Sequence, residues 1–417
     1  MGDAAGAAFR CASDSVALAR VEQMLRESEQ ESLRVHFSRE ELAQCPDRAD
    51  RAAWLAGNLA AKQACLKLFL REGPAGALGA GDFVLTRREG DAPRIECSAS
   101  ARALLEREGI RRLMVALAHD GASASAVVLA EPLRWRAPLV GRLLYRLLPI
   151  RRRVILENLR RVFGDHAPAD ALAALAQAHY AHLARLLWEF VWFPFVSAAR
   201  RRTMVRVENL AALEQALGEG RGVLVLTGHF GSFEVATAAG LDSYPHARGR
   251  FHFVRRPIKP GWLDALVTRR FARVGFGVLP KRGGLEALLD RLSAGDLVVF
   301  PFDQHASRKD GVLVDFFGHP AGTFRSLAVL ALSTRAPVVP AASWREPGGR
   351  HVLRFESPLA PIDHADTNEA IRLNTRAYNA ALEALVLRHP EQWWWIHRRW
   401  KPWPSPPRAA GPAVRAR

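Results

Sequence analysis

The chain has 417 residues, a formal net charge of +17 and a pI near 10.8. That length exceeds one usual domain and can bury two cores. The charge selects an anionic partner surface: phospholipid, phosphorylated glycolipid, acidic carrier protein or nucleic acid. Four cysteines, Cys11, Cys45, Cys65 and Cys97, have no C-x-x-C spacing, which speaks against zinc and against a disulfide scaffold; Cys65 reads as a small buried apolar residue. No apolar leader opens the chain and no unbroken apolar run reaches about 18 residues, so a spanning helix is not expected. The expected place is the cytoplasmic face of a membrane, peripheral or monotopic.

Residues 1–131 read as a small α+β domain. Asp14 opens an apolar segment, Glu22 to Leu33 patterns as an amphipathic helix, and Ser38 with Glu41 forms a capping box for the next. Trp54 to Leu70 is a strong helix with few branched residues. Phe83 to Thr86, Arg94 to Cys97, Leu113 to Ala118 and Ala124 to Ala130 read as strands, the last two joined at His119-Asp120-Gly121. This pattern alone carries no evident chemistry. Asp14, Arg20, the segment Arg51 to Lys67 with Lys62, and the closing Val115 to Val128 resemble the holo-acyl-carrier-protein synthase family, over about residues 12–130. That resemblance implies a 4'-phosphopantetheinyl transferase fold, coenzyme A and Mg2+ as cofactors, Asp14 as a metal ligand, and a trimer with sites between subunits. The family places a glutamate directly after the helix lysine, and this chain has Gln63. An amide is a weaker ligand than a carboxylate for a hard cation. A docking module for acyl carrier protein, or a structural remnant, is expected more than a retained transferase.

Residues 132–200 form a basic, aromatic join. Trp135, Leu139, Leu143, Leu144, Leu147 and Leu148 alternate with Arg134, Arg136, Arg142 and Arg146, ahead of the run Arg151 to Arg153. Pro149 breaks the pattern and Val154 to Val162 begins a second helix. Leucines opposite arginines suit an anionic bilayer interface, although a core-facing helix with a solvated basic side has the same pattern. Tyr180 to Val196, with Trp188, Phe190, Trp192, Phe193 and Phe195, lines an acyl groove, touches lipid or forms core.

In residues 201–403 strands and helices alternate: Val223 to Thr227, Phe251 to Val254, a helix over Gly261 to Val274, Gly277 to Leu279, a helix over Gly284 to Leu292, Leu297 to Phe300, a helix after Thr323, and Val338 to Ala342. This is an α/β pattern. The reactive element is VLVLTGHFGSFE. A buried strand ends at Thr227, Gly228 frees the turn, and a helix begins at Phe233, which sets His229 on the carboxyl edge of the sheet. The turn lets Glu234 reach the imidazole, forming a general base with an orienting carboxylate. With no adjacent serine elbow or reactive cysteine, His229 would activate a substrate hydroxyl. A histidine that only closes a strand is the alternative.

The H-x-x-x-x-E element, Phe253-Val254-Arg255-Arg256-Pro257, Pro301-Phe302-Asp303-Gln304, Asp315-Phe316-Phe317-Gly318 with Thr323, Ala336-Pro337-Val338-Val339-Pro340, and His389 to Lys401 occur in the order of the late acyltransferases of lipid A biosynthesis. The resemblance to this lauroyl/myristoyl transferase family covers roughly residues 136–403. It supports His229 and Glu234 as the catalytic pair. The basic side chains grouped after successive strands, Arg255, Arg256, Lys281 and Arg282, suit an anionic substrate, with Asp303, Gln304, Arg398 and Arg399 as further binding candidates. Asp303 is expected to position an arginine, and Arg398 and Arg399 to meet phosphate or Asp303.

The expectation is an α/β acyltransferase domain with a central mixed sheet, preceded by the small α+β phosphopantetheinyl-transferase-like domain and followed by a disordered Pro/Ala/Arg tail over 404–417. An acyl group would pass from acyl carrier protein or coenzyme A to a hydroxyl of a glycolipid or other lipid, with no cofactor for the transfer itself. Partners would be acyl carrier protein and anionic membrane lipids. The alternatives are a bifunctional enzyme that keeps phosphopantetheinyl transfer and a non-catalytic membrane scaffold. A nucleic-acid-binding protein explains the charge but has no helix-turn-helix, zinc spacing or RNP-like strand.

Overall fold

The computed structural model describes residues 10–27, 33–46, 50–69, 78–87, 93–119, 123–132, 137–164, 167–243, 248–255, 259–280, 283–346 and 348–403. Among the sequence expectations, Arg256, Lys281, Arg282, Asp120 and the tail 404–417 lie outside these residues.

The first sheet contains β1 (Arg10–Ala17), β2 (Phe83–Thr86), β3 (Arg94–Cys97), β4 (Ile110–His119) and β5 (Ser123–Pro132), ordered β1-β5-β4-β3-β2 with antiparallel neighbours. The helix Arg51–Phe69 lies on one face. Its Ala56, Ala60, Ala61 and Ala64 are fully buried, and such small side chains let the helix backbone approach the strands closely. The Ser38–Glu41 capping box forms as read from the sequence. The helix Ala99–Arg107, capped by Ser98, was not foreseen.

Side chains alternate between faces along a strand. Val16, Leu113, Val115, Ala126 and Val128 therefore share the core with the long helix, while Cys11 and Leu129, with Met114 and Val127 against them, point the other way. On that second face they join the core of the larger domain, and the Cys11 thiol donates to the Leu387 carbonyl at 2.8 Å. Leu387 belongs to the helix Thr367–Arg388. The sheet is thus covered on both faces within one chain.

The second sheet is built from β6 (Val205–Glu208), β7 (Val223–Thr227), β8 (Phe251–Arg255), β9 (Phe276–Pro280) and β10 (Leu297–Pro301). Beyond the hairpin β11 (Gly311–Phe316) and β12 (His319–Phe324) it is completed by β13 (Val338–Arg345) and β14 (His351–Phe355). Its order is β6-β14-β13-β7-β10-β8-β9, parallel except between β13 and β14. The architecture is the expected α/β domain with a mixed sheet, behind a smaller α+β domain.

Strand β7 lies at the centre, between β13 and β10. Four of its five residues are buried, which explains the continuous apolar run: a central parallel strand has no solvent face. Thr323 lies inside β12 and does not cap a helix. The helix Ser326–Thr334 begins after Arg325, and the Thr323 hydroxyl instead accepts from Arg399 and Asn379.

Candidate active site

Beyond Thr227 the chain makes a sharp turn. Phe230 N–H donates to the Gly228 carbonyl at 3.0 Å, and Gly231, at φ +51°, donates to the Gln392 carbonyl at 3.0 Å. A Cβ on Gly231 would stand 2.5 Å from the Ser343 carbonyl oxygen. One on Gly228 would stand 3.0 Å from Asp303 Oδ2 and 2.8 Å from the Phe230 ring. Both glycines are needed because neighbouring atoms occupy the space a side chain would take. The helix Phe233–Ser243 then starts, with Glu234 in its first turn.

Asp303, two residues past the end of β10, is 3 % exposed. Its Oδ1 lies 2.9 Å from His229 Nδ1, and its Oδ2 accepts from the His229 backbone N–H at 2.8 Å and the Trp393 indole N–H at 2.9 Å. Parallel pairing of β7 with β10, with Pro301 opposite Thr227, brings the two loops together. Asp303 was expected to position an arginine; it holds the imidazole instead. The correction has a physical reason: a buried carboxylate takes the nearest donors, and three are provided here.

Burial disfavours the His229 cation, but the Asp303 charge and hydrogen bond outweigh it and raise the imidazole above its ordinary value. Asp303 is likewise opposed by burial, yet its contacts with His229 and Trp393 hold it down at about 2. With Nδ1 occupied by Asp303, Nε2 is the nitrogen left for substrate. The ring packs edge-on to Phe233 and near Trp394, with centroids 6.3 and 6.2 Å away.

Glu234 was expected to orient the imidazole. Among the described residues no hydrogen bond joins the two, and the carboxylate on the ring is that of Asp303. Burial raises Glu234, opposed by the charge of Arg270. Arg270 is itself seated over the Phe190 ring at 4.3 Å.

The expected substrate-binding residues separate into groups. Gln304 follows Asp303 on the same loop and is half-buried. Arg255 is turned into the fold, with its guanidinium bonded to Asp264 and Thr268. Arg399 is fully buried, bonded to the Gly322 carbonyl and Thr323 and stacked over Phe316. It therefore acts beneath the site rather than on a ligand, although the Asp303 charge still acts on it. Arg398 is exposed.

Behind His229 runs a narrow apolar slot lined by Val225, Phe233, Phe253, Val299 and Ala341. It shares Thr237, Phe251, Leu353 and Phe355 with a second slot that reaches Leu213, Leu217 and Leu297. Pro301 ends β10 beside the imidazole loop and Leu297 begins it, so the pair traverses the strand, about 13 Å at the usual rise. Cavity volumes of about 50 and 70 Å³ require side chains to shift before a long chain enters.

Outside, a band of apolar side chains faces solvent. Leu139, Val140, Leu143 and Leu147 of the helix Leu139–Leu147 are more than half exposed, as are Leu187, Trp188 and Val191 near the end of the helix Ala169–Trp192. Phe195 is 83 % exposed and Trp262 70 %. Among the described residues no helix is long and apolar enough to cross a membrane.

The first domain keeps the residues of its expected site but pairs them internally. Asp14 lies 3.1 Å from the Lys67 ammonium. Lys62 is fully buried and bonded at 2.6 Å to Glu41, also fully buried. Burial lowers Lys62, opposed by the Glu41 charge. Gln63 is half-buried. Among the described residues no group of three His, Cys, Asp or Glu side chains could hold a metal ion. The Lys67 ammonium thus offsets the charge of Asp14, and position 63 offers an amide where a carboxylate would bind a hard cation more strongly.

An imidazole braced by a buried carboxylate beside an apolar slot can serve as a general base toward a bound hydroxyl. The model of the bacterial lipid A biosynthesis acyltransferase family matches residues 111–402, and the chain belongs to that family. It is 28 % identical over 247 residues to the phosphatidylinositol mannoside acyltransferase of Mycolicibacterium smegmatis, covering 58 % of this chain and 77 % of that one. It is 27 % identical over 265 residues to the lipid A biosynthesis palmitoleoyltransferase of Escherichia coli, covering 63 % and 82 %. The holo-[acyl-carrier-protein] synthase of Moorella thermoacetica is 33 % identical over 125 residues, 28 % of this chain and 90 % of that one. The first domain is therefore of that second family.

Proposed function

We propose that the chain moves a fatty acyl group from a thioester, carried by acyl carrier protein or coenzyme A, to a hydroxyl of a glycolipid or other lipid at a membrane surface. The observation that carries this reading is the His229–Asp303 pair at the mouth of the apolar slot. His229 Nε2 takes the proton as the acceptor oxygen attacks the thioester carbonyl. Asp303 fixes the tautomer and stabilises the imidazolium. Collapse of the tetrahedral intermediate breaks the C–S bond, and the imidazolium returns the proton to the leaving thiolate. The start of the helix Phe233–Ser243, next to His229, is the nearest source of amides for the developing oxyanion.

The exposed leucines and tryptophans dock the protein peripherally on lipid, helped by neighbouring arginines. The first domain serves as a docking module for acyl carrier protein, its exposed Arg20 and Arg26 meeting the acidic carrier. Phosphopantetheinyl transfer is disfavoured because Lys67 neutralises Asp14. The test is lipid mass spectrometry on cells with and without the gene, complemented by wild type or His229→Ala. One lipid species should gain an acyl group only with the wild type. An unchanged lipid profile, or equal rescue by H229A, would sink the reading.

A further inference from the structure

Apart from the two slots, a cavity of about 670 Å³ is lined by Arg151, Arg153, Val154, His397, Arg398 and Lys401. Arg153 is paired with Glu157 at 2.7 Å. Among the described residues Arg151, Arg398 and Lys401 have no carboxylate within ion-pairing distance, and the Arg151 guanidinium donates to the Ile396 carbonyl at 3.4 Å. Three uncompensated cations around one concavity repel each other unless an anion is present. Arg151 also precedes the helix Arg152–Phe163 without a side-chain cap; Arg152 N–H donates to the Pro149 carbonyl, while Arg153 and Val154, whose amides lack intrahelical acceptors, line the same space.

The cavity is tied to the catalytic loop. His397 Nε2 accepts from the His305 backbone N–H at 3.0 Å, two residues after Asp303, and Asn158 holds the His397 carbonyl at 2.8 Å. Burial, together with Lys401, Arg399 and His229, pushes His397 down to about 4, only partly opposed by Asp303, so the cavity's imidazole is a neutral hydrogen-bonding group. The other border is apolar: Leu147, Leu148 and Ile150, 49–66 % exposed, run directly into Arg151. Cations at the edge of an apolar surface match the depth of a lipid headgroup over its chains.

We infer that this cavity is a binding site for the phosphate of a lipid headgroup, formed by Arg151, Arg398 and Lys401 around the start of the helix Arg152–Phe163. The inference adds an acceptor-side anion site to the proposed acyl transfer and rests on that reading only for the lipid's role as acceptor. Arginine forks and helix amides both favour phosphate oxygens.

Inorganic phosphate titrated into the intact chain by calorimetry is the first probe. Arg398→Gln combined with Lys401→Gln should weaken phosphate binding at least about tenfold. Arg34→Gln with Arg39→Gln, the same charge change on exposed residues elsewhere, should leave it unaltered. Vesicles containing phosphatidic acid should displace phosphate far more strongly than free 4'-phosphopantetheine, which has no acyl chains to rest on Leu147, Leu148 and Ile150. His229→Ala should bind phosphate like the wild type even though acyl transfer is lost, which separates this site from the catalytic reading. Equal phosphate binding by both double variants, or no binding by the wild type, overturns the site. Displacement by 4'-phosphopantetheine at least as strong as by the vesicles overturns the headgroup assignment in favour of the donor's arm.

Discussion

Asp303 holds His229 at two points, the ring through Oδ1 and the backbone N–H through Oδ2. The carboxylate therefore fixes both where the imidazole stands and how it faces. A single hydrogen bond to the ring would leave the loop free to carry the base away from its substrate.

Removing the base should remove the reaction. His229→Ala is expected to lower acyl transfer by about 10²–10⁴-fold while leaving the thermal unfolding curve near that of wild type. Initial rates with an acyl-thioester donor check this, and a rate close to wild type would exclude His229 as the base.

The pH profile reports on Asp303. The base is active when neutral, so the raised His229 moves the rise in rate to higher pH than an ordinary histidine would give. Asp303→Asn leaves burial without the compensating charge. The rise should move to lower pH while the plateau falls, by more than in Glu234→Gln, because Glu234 does not touch the ring. A larger loss in E234Q than in D303N would return the orienting role to Glu234.

Chain-length preference should follow the deeper slot. Gly240 lies in its wall, and an added Cβ would stand 3.4 Å from Leu353, an ordinary contact. Gly240→Leu should therefore fold and fill the far end. Competing short and long acyl donors in one assay should show a shift toward the shorter. An unchanged product ratio would mean that the acyl chain lies elsewhere.

Two buried histidines should contribute to acid sensitivity. Burial depresses His179 to about 4 and His182 to about 3 from an ordinary 6.5. Below 6.5 the unfolded chain binds protons that the folded one refuses, so stability is full above that pH and declines as pH falls through the window to 4 and then 3. His182→Leu should flatten this decline in melting temperature, and an unaltered acid slope would show that other groups set it.

The buried Lys62–Glu41 pair lies inside the first domain, with Glu41 also accepting from the Leu85 and Ser38 N–H groups. Glu41→Gln should destabilise by about 3–5 kcal/mol, since it leaves an ammonium buried without its counter-charge. Denaturant unfolding followed in the first domain measures it.

Much of this was legible in sequence. Strand β7, the glycine turn and the helix from Phe233 follow from an apolar run, two glycines and helix-forming residues close together. The partner of His229 was not, because Glu234 and Asp303 are both carboxylates downstream of the base. Only the parallel pairing of β7 with β10 places Asp303 opposite, and periodicity does not reveal which strands become neighbours. Arg399 was likewise misread: a basic residue in an aromatic run resembles a ligand-binding group until its burial under Phe316 is seen. The β11–β12 hairpin turns on Phe317 and Gly318, both at positive φ, and Gly318 alone among the apolar residues around it was too weak a signal.

The contact of Cys11 and Leu129 with the helix Thr367–Arg388 makes the junction between domains a shared interior. Cutting the chain between residues 132 and 139 would leave two incomplete pieces, each with a wetted apolar face and each prone to aggregate. A relative that has the acyltransferase part without the first sheet must cover the same side of its last long helix with something else, either residues of its own or a second polypeptide.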